Sequence, residues 1–179
     1  MSLYRLDASI RVEGSHSRAI ADIVEQEWRN ANPDELVTRR HVGVDPIPAT
    51  AWASAVFGSR TPAESRTDEQ KAALTLAATL TDELVEADAL LFAIPLYNFG
   101  VSQHFKAWVD MVVTDPRMAA GTQPILVGKP AVLVTVRGGN DVTVAVRNEG
   151  QLINPLPWRR GDEAAVAWRP EDCQILEDE

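Results

Sequence analysis

The chain has 179 residues, a formal net charge of −9, 45% hydrophobic residues and 24% charged residues. That length and balance suit one globular domain with one core. The acidic surplus excludes sequence-independent nucleic-acid binding and a polybasic membrane surface, both of which run on excess Lys and Arg. The single cysteine, Cys173, excludes an intrachain disulfide and fits a reducing compartment. No apolar run approaches the ~20 residues of a transmembrane helix. Met1 to Ser9 carries no signal-peptide pattern. A soluble, cytoplasmic protein is the expectation.

Leu3 to Ala8 is predicted to be a short strand, with Leu6 and Ala8 apolar on alternate positions and Asp7 an awkward neighbour for a buried strand. A loop with three serines and a glycine follows, Ser9 to Arg18. A helix is then predicted from Arg18 to Arg29, its stripe formed by Ile20, Ile23, Val24 and Trp28, with Glu27 interrupting it. Asn30-Ala31-Asn32-Pro33 ends it. A helix N-terminus exposes unpaired N–H groups and carries positive partial charge, so it suits a phosphate. Ser9, Ser15 and Ser17 add hydroxyl donors. The loop has neither GxxxxGK followed by Ser/Thr nor GxGxxG, which excludes a nucleoside-triphosphate loop and a dinucleotide fingerprint. It suits a small monophosphate held by neutral donors, or simply a capped helix, since serine is a favoured N-cap.

Leu36 to Val42 is predicted as the second strand, Asp45 to Pro48 as a turn, Ala49 to Phe57 as a short helix and Gly58 to Thr67 as an exposed loop. A long helix starts after Thr67, with Gln70 completing a capping box and Leu74, Leu80, Leu84 and Val85 on its buried face. Asp82, Glu83, Glu86 and Asp88 near its end are taken as a solvated face, not an acid/base pair.

The apolar run Ala89 to Ile94 predicts a third strand that stops at Pro95. The loop Leu96-Tyr97-Asn98-Phe99-Gly100 follows, then a helix with Val101, Phe105, Trp108, Val109 and Val112 at helical spacing. Pro130 to Val136 is a β-branched run typical of a strand buried on both faces, ending in Arg137-Gly138-Gly139. This β-α-β-α-β-α-β order implies a three-layer parallel sheet, in which loops at strand carboxyl ends bind ligands. After Gly139 the pattern changes. Val142 to Val146 alternates and could supply a fifth strand, but no closing amphipathic helix is visible. His41 and His104 are expected at the surface.

Three loops carry a family resemblance: Ser9 with Ser15-His16-Ser17, then Pro95-Leu96-Tyr97-Asn98-Phe99, then Val136-Arg137-Gly138-Gly139. In this order and spacing, residues 1–139 resemble the FMN-dependent NADH-azoreductases and NAD(P)H quinone oxidoreductases. Those enzymes have a flavodoxin-like fold, with a Ser-x-Ser loop, a Pro-Met/Leu-Tyr-Asn-Phe loop and a Ser/Thr-Arg-Gly-Gly loop. Gln103, Phe105, Lys106 and Asp110 extend the middle match.

The resemblance implies a flavodoxin-like sheet of order 2-1-3-4, with a fifth strand available; the chain departs from the family pattern in its missing closing helix and its irregular or β-rich tail. It implies a flavin-binding domain over 1–140 and an atypical extension over 141–179. FMN would bind with Ser9, Ser15, His16 and Ser17 on its phosphate. Pro95, Leu96, Tyr97, Asn98 and Phe99 would flank the ring. Val136, Arg137, Gly138 and Gly139 would line its polar edge, with Val136 standing where the family commonly has a hydroxyl residue. NADH or NADPH would give two electrons, passed by a ping-pong mechanism to a quinone or azo acceptor. A homodimer would complete the site, with Tyr97, Phe99 and Trp108 as contributors or as plain core. Neither a metal nor a catalytic triad is expected. The alternative is a truncated or chimeric protein that binds flavin or a partner without turnover. Gly161 to Leu176 resembles the C-terminal β-module of ABC-transporter ATPases, although no Walker loop is present and transporter ATPase activity is excluded.

Overall fold

The computed structural model describes residues 1–98, 100–118, 123–136 and 142–147. Chain order is β1 (Leu3–Asp7), α1 (His16–Ala31), β2 (Val37–His41), α2 (Ala51–Arg60), α3 (Asp68–Glu86), β3 (Ala89–Tyr97), β4 (Gly100–Val101), α4 (Gln103–Val112), β5 (Ala131–Val136) and β6 (Val142–Arg147). The sheet order is β2-β1-β3-β5-β6, with β4 paired to β3 off this path. The first four of these strands are parallel, as expected. β6 is the anticipated fifth strand, but it runs antiparallel to β5. Only five residues separate the two, too few for the crossover that a parallel pair needs. The expectations for the closing helix and for the module at 161–176 fall outside the described residues.

Alternation along β1 sorts its side chains between two helical layers. Tyr4, Leu6 and Ala8 join the core formed with α2, α3 and α4. Leu3 joins Ile20, Ala21 and Trp28 of α1, together with Leu91, Ala93, Val132 and Val134. Arg5 and Asp7 therefore point to the α1 side of a fully buried strand.

Burial of the Arg5 guanidinium, 1% exposed, is tolerable because each of its N–H groups has an acceptor. Nε and Nη2 donate to Asp7 Oδ1 at 3.2 and 3.1 Å. Nη1 donates to Asp22 at 2.7 Å and Glu25 at 3.1 Å. Nη2 also reaches the Arg18 carbonyl at 3.2 Å. The awkward Asp7 is thus one half of a buried ion pair. Burial still outweighs Arg5 and holds the Asp7 carboxyl above its ordinary range.

This pairing shifts the inner face of α1. Ala21 and Glu25 are buried there, Glu27 is exposed, and Ile23 is 44% exposed instead of forming part of the stripe. The helix begins at His16, two residues before its expected start, with Ser15 as N-cap.

The edge strand β2 is charged, which protects an edge from pairing with other chains. Its Arg39 and Arg40 point to opposite faces. Arg39 Nε donates to Glu25 on α1 at 2.8 Å, and Arg40 Nε donates to Glu83 on α3 at 2.8 Å. Asp82 takes Arg117 at 2.6 Å. Asp88 lies 3.9 Å from the N-terminal ammonium of Met1. Three of the four carboxylates expected to be merely solvated are therefore ion-paired. The capping box on α3 forms as expected, with Thr67 and Gln70 exchanging bonds of 3.1 and 3.2 Å. Lys129 serves the other end of α3, donating to the carbonyls of Val85, at 2.6 Å, and Ala87. Trp108 is plain core, stacked on Tyr4 and Phe105. Met111 is the buried member of α4 that the spacing argument left out.

Glu25 gives the fold a pH signature. Burial alone would raise its pKa, but hydrogen bonds from Arg39, Arg29 and Arg5 bring it from 4.5 down to about 2. A depressed carboxylate contributes stability above its unfolded pKa and loses it as pH falls through the folded one. Urea midpoints should therefore drop between pH 4.5 and 2, by the equivalent of about 3 kcal/mol. Glu25→Gln should lower stability at neutral pH and flatten that stretch of the profile.

Candidate functional site

β1, β3 and β5 are parallel neighbours, so their carboxyl ends share one edge of the sheet. The loops predicted to matter leave from that edge.

The first is Ser9 to Ser15. Ser9, Ser15 and Ser17 are all buried, Ser17 at 1% exposure. Ser15 Oγ lies 3.3 Å from Ser17 Oγ and accepts from the Arg18 N–H at 3.4 Å. The capping reading of Ser15 is therefore correct. It leaves, by helix geometry, the N–H groups of His16 and Ser17 without intrahelical acceptors, while Ser17 Oγ has Ser15 Oγ as its partner. The His16 side chain is exposed. Gly14 has φ +64°, a left-handed conformation that favours glycine and lets the loop turn into α1.

The second is the end of β3, which does not stop at Pro95 but runs on to Tyr97 and doubles back. Leu96 pairs with Val101 and Tyr97 with Gly100, a tight hairpin turned through Asn98 at φ 50°. Pro95 is tolerated inside the strand for a directional reason. The Ala93 carbonyl accepts from the Ala8 N–H, so Ala93 faces β1, and so does Pro95 two residues on. β1 has ended at that level, and no ladder bond is lost. The hairpin aims Tyr97 at the first loop. Its hydroxyl accepts from the Ile10 N–H at 3.3 Å and lies 3.3 Å from Ser9 Oγ, which itself accepts from the Arg11 N–H at 3.2 Å. Leu96 and Tyr97 are half-buried and Asn98 is exposed.

The third is the end of β5. Val136 is buried and in register with Pro95 on one side and Val142 on the other. Phe99, Arg137, Gly138 and Gly139 lie outside the described residues. The structure thus brings Ser9, Ser15, Ser17, Pro95, Leu96, Tyr97 and Val136 to one edge.

A support that sequence reasoning missed lies beneath the first loop. The turn after β2 packs its Gly43 against Ser9 so closely that a Cβ there would fall 2.0 Å from the Ser9 carbonyl oxygen. His41 is not a simple surface residue. Its Nε2 lies 2.7 Å from Arg18 Nη1, and its Nδ1 lies 3.2 Å from the Gly43 N–H. Burial, with Arg18 alongside, holds His41 below the usual histidine range, against the pull of Asp7. A histidine followed two residues later by a glycine at a parallel strand end was the only signal, and it is a weak one.

Among the described residues no group of His, Cys, Asp and Glu is placed to hold a metal, and no helix is long and apolar enough to cross a membrane. A parallel three-layer sheet with a hydroxyl-lined loop at its carboxyl edge defines a flavodoxin-like protein. The family model for the flavodoxin-like fold matches residues 1–157, and the chain belongs to that family.

The chain is 41% identical over 141 residues to the FMN-dependent NADH:quinone oxidoreductase of Xanthobacter autotrophicus, covering 76% of this chain and 67% of that one. It is 35% identical over 162 residues to FMN-dependent NAD(P)H:quinone oxidoreductase 1 of Pseudomonas aeruginosa, covering 86% and 76%. It spans about two thirds of the length of several such relatives. The crystal structure of the azoreductase AzrA superposes with a TM-score of 0.62 at 20% identity, over 78% of this chain and 70% of that one, a likeness of fold.

Gly43→Ala should force the Ser9 backbone aside and cost on the order of 2–3 kcal/mol. Gly100→Ala, whose Cβ would meet only the Tyr97 carbonyl oxygen at 3.9 Å, should be close to neutral. Urea denaturation of the two variants side by side checks the contrast.

Proposed function

We propose that the chain binds FMN at this edge and transfers two electrons from NADH or NADPH to a quinone or azo compound. Donor and acceptor would use one site in ping-pong order. The observation that carries the reading is the buried hydroxyl set of Ser9, Ser15 and Ser17 at the start of α1, facing a hairpin that presents Tyr97. The names of the relatives support the same chemistry.

The residues present fit the cofactor. A phosphate dianion needs several donors and few acceptors, and a helix N-terminus with adjacent hydroxyls provides that without a lysine. Ser9, Ser15, His16 and Ser17 would hold the phosphate. Pro95, Leu96, Tyr97, Asn98 and Phe99 would flank the ring, and Val136, Arg137, Gly138 and Gly139 would line its polar edge. FMN supplies the hydride chemistry when bound, and the protein supplies binding, orientation and electrostatics. Tyr97 acts on the protein side, where its hydroxyl fixes Ser9 and the Ile10 N–H and so couples the ring-flanking hairpin to the phosphate loop. Residues 1–140 would form the flavin-binding unit and 141–179 an extension of it. A cytoplasmic homodimer is the assembly in keeping with this reading.

Purified protein should be yellow, bleach under NADH without air, and give parallel lines in double-reciprocal plots with menadione as acceptor. Colourless protein that takes up no added FMN would sink the proposal, and flavin binding without NADH oxidation would leave a binding protein. Ser17→Ala should weaken FMN roughly ten-fold, as expected for one lost hydrogen bond to a charged group, with little effect on riboflavin, which has no phosphate. Fluorescence titration of both flavins checks it.

A further inference from the structure

The phosphate loop makes few contacts of its own. Arg11, Glu13 and Gly14 are exposed, and Ile10 and Val12 are 56% and 66% exposed. Ser9 Oγ takes the Arg11 N–H, and the carbonyls of the loop's middle are tied down by Arg18. Nη1 donates to the Arg11 carbonyl at 3.0 Å and Nη2 to the Val12 carbonyl. Arg18 is itself anchored at both ends of its backbone unit. Its N–H donates to Ser15 Oγ, and its carbonyl accepts from the buried Arg5 at 3.2 Å. Among the described residues no carboxylate lies within ion-pair distance of the Arg18 guanidinium. Its remaining partner is His41 Nε2, at 2.7 Å.

His41 meets N–H donors at both ring nitrogens, Arg18 at Nε2 and the Gly43 N–H at Nδ1. A neutral imidazole has one acceptor lone pair and can satisfy one of them, whereas an imidazolium can satisfy neither. Protonation would also place a second cation against the guanidinium. We propose that Arg18 and His41 form a latch that sets the shape of the phosphate loop, closed while His41 is neutral and released when it is protonated. The phosphate-binding clause rests on the flavin reading above, but the loop-ordering clause does not.

The groups facing His41 act in both directions. Asp7 of β1 attracts an imidazolium and opposes release. Arg18 of α1 and Arg5 of β1 repel one and favour release, and burial favours the neutral ring. The sum is a histidine depressed from its ordinary value, so the latch is closed at neutral pH and opens only at a pH lower than that at which an ordinary histidine titrates. Arg18 and His41 are positioning residues, since neither is read as touching the flavin.

The test uses the full chain. In flavin-free protein, NMR should show His41 titrating below an ordinary histidine. Amide exchange at Ile10 and Arg11, whose N–H groups donate to Tyr97 and Ser9, corrected for intrinsic rates, should accelerate roughly ten-fold across that titration. Arg18→Gln should show the fast exchange at every pH. His41→Gln, whose amide oxygen can accept from Arg18 at any pH, should keep slow exchange and lose the pH dependence. In flavin titrations Arg18→Gln should weaken FMN roughly ten-fold and leave riboflavin unchanged, the size of one lost charge-assisted contact.

The FMN phosphate has its own ionisation at about 6. It is common to wild type and His41→Gln, so the difference between their pH profiles belongs to His41. Equal weakening of FMN and riboflavin by Arg18→Gln would mark a purely structural role and overturn the latch. Unchanged loop exchange in that variant would overturn it as well. Should Arg18→Gln fail to fold, wild type is compared with His41→Gln across pH. Loop exchange that follows the histidine titration in wild type alone supports the latch, and identical exchange profiles overturn it. If wild type binds no FMN the flavin reading falls, and loop exchange alone decides the latch.

Discussion

A buried guanidinium with no free N–H is the constraint from which the rest of this fold is arranged. Arg5 sits in the middle of a strand covered on both faces, where an unpaired charge would be prohibitive. Its acceptors come from β1 itself and from α1: Asp7, Asp22, Glu25 and the Arg18 carbonyl. Satisfying all of them fixes both the rotation of α1 and its position along β1. Glu25 then extends the network to Arg39 on the edge strand. A buried ion pair contributes little net stability compared with a well-packed apolar alternative, but removing one partner costs roughly 3–5 kcal/mol. Its value here is specification. One helix orientation satisfies Arg5, and that orientation delivers Ser15 and Ser17 to the end of β1.

The other side of the edge is set by strand direction and not by charge. β3 can carry Pro95 because β1 stops one step short of it, and the same early stop leaves Ser9 free to meet Tyr97. The hairpin into β4 is tight enough to need a left-handed residue, and asparagine supplies it. β6 runs back along β5 because the connection is short. Each departure from a plain parallel sheet therefore has a local cause, and each lies where the sheet meets the candidate site.

Much of this was legible in the sequence because it is written in period and punctuation. Alternation and β-branched runs located β1, β3 and β5, and Thr67 with Gln70 announced α3. The serines and the Tyr97 loop were legible as a candidate site because residue type and spacing carry the chemistry. What escaped is what depends on partners distant in the chain. Period arguments placed Ile23 inside α1 and left out Glu25, since nothing local says that Arg5 will be waiting for a carboxylate. Pro95 was taken as a stop because its tolerance depends on where a different strand ends. His41 looked like a surface residue and Gly43 carried no signal of its own, because only the folded chain puts Arg18 against the one and Ser9 against the other.

Arg18 shows why a charge near a hydroxyl-lined loop should not be assigned by proximity. In an acidic chain, the cation next to the serines is the obvious candidate for an anion ligand. Its guanidinium instead donates to the loop's own carbonyls and to His41. Turning a cation onto carbonyl oxygens orders backbone that has few contacts of its own, and it leaves the front of the loop to N–H and hydroxyl groups. Such donors are directional, so their value depends on the loop holding its shape. A point charge would tolerate a loose loop, whereas a cradle of neutral donors would not. The network from Glu25 through Arg5 to the Arg18 carbonyl, and from the Arg18 guanidinium to the loop, is thus the route by which the buried charge of β1 shapes the candidate site.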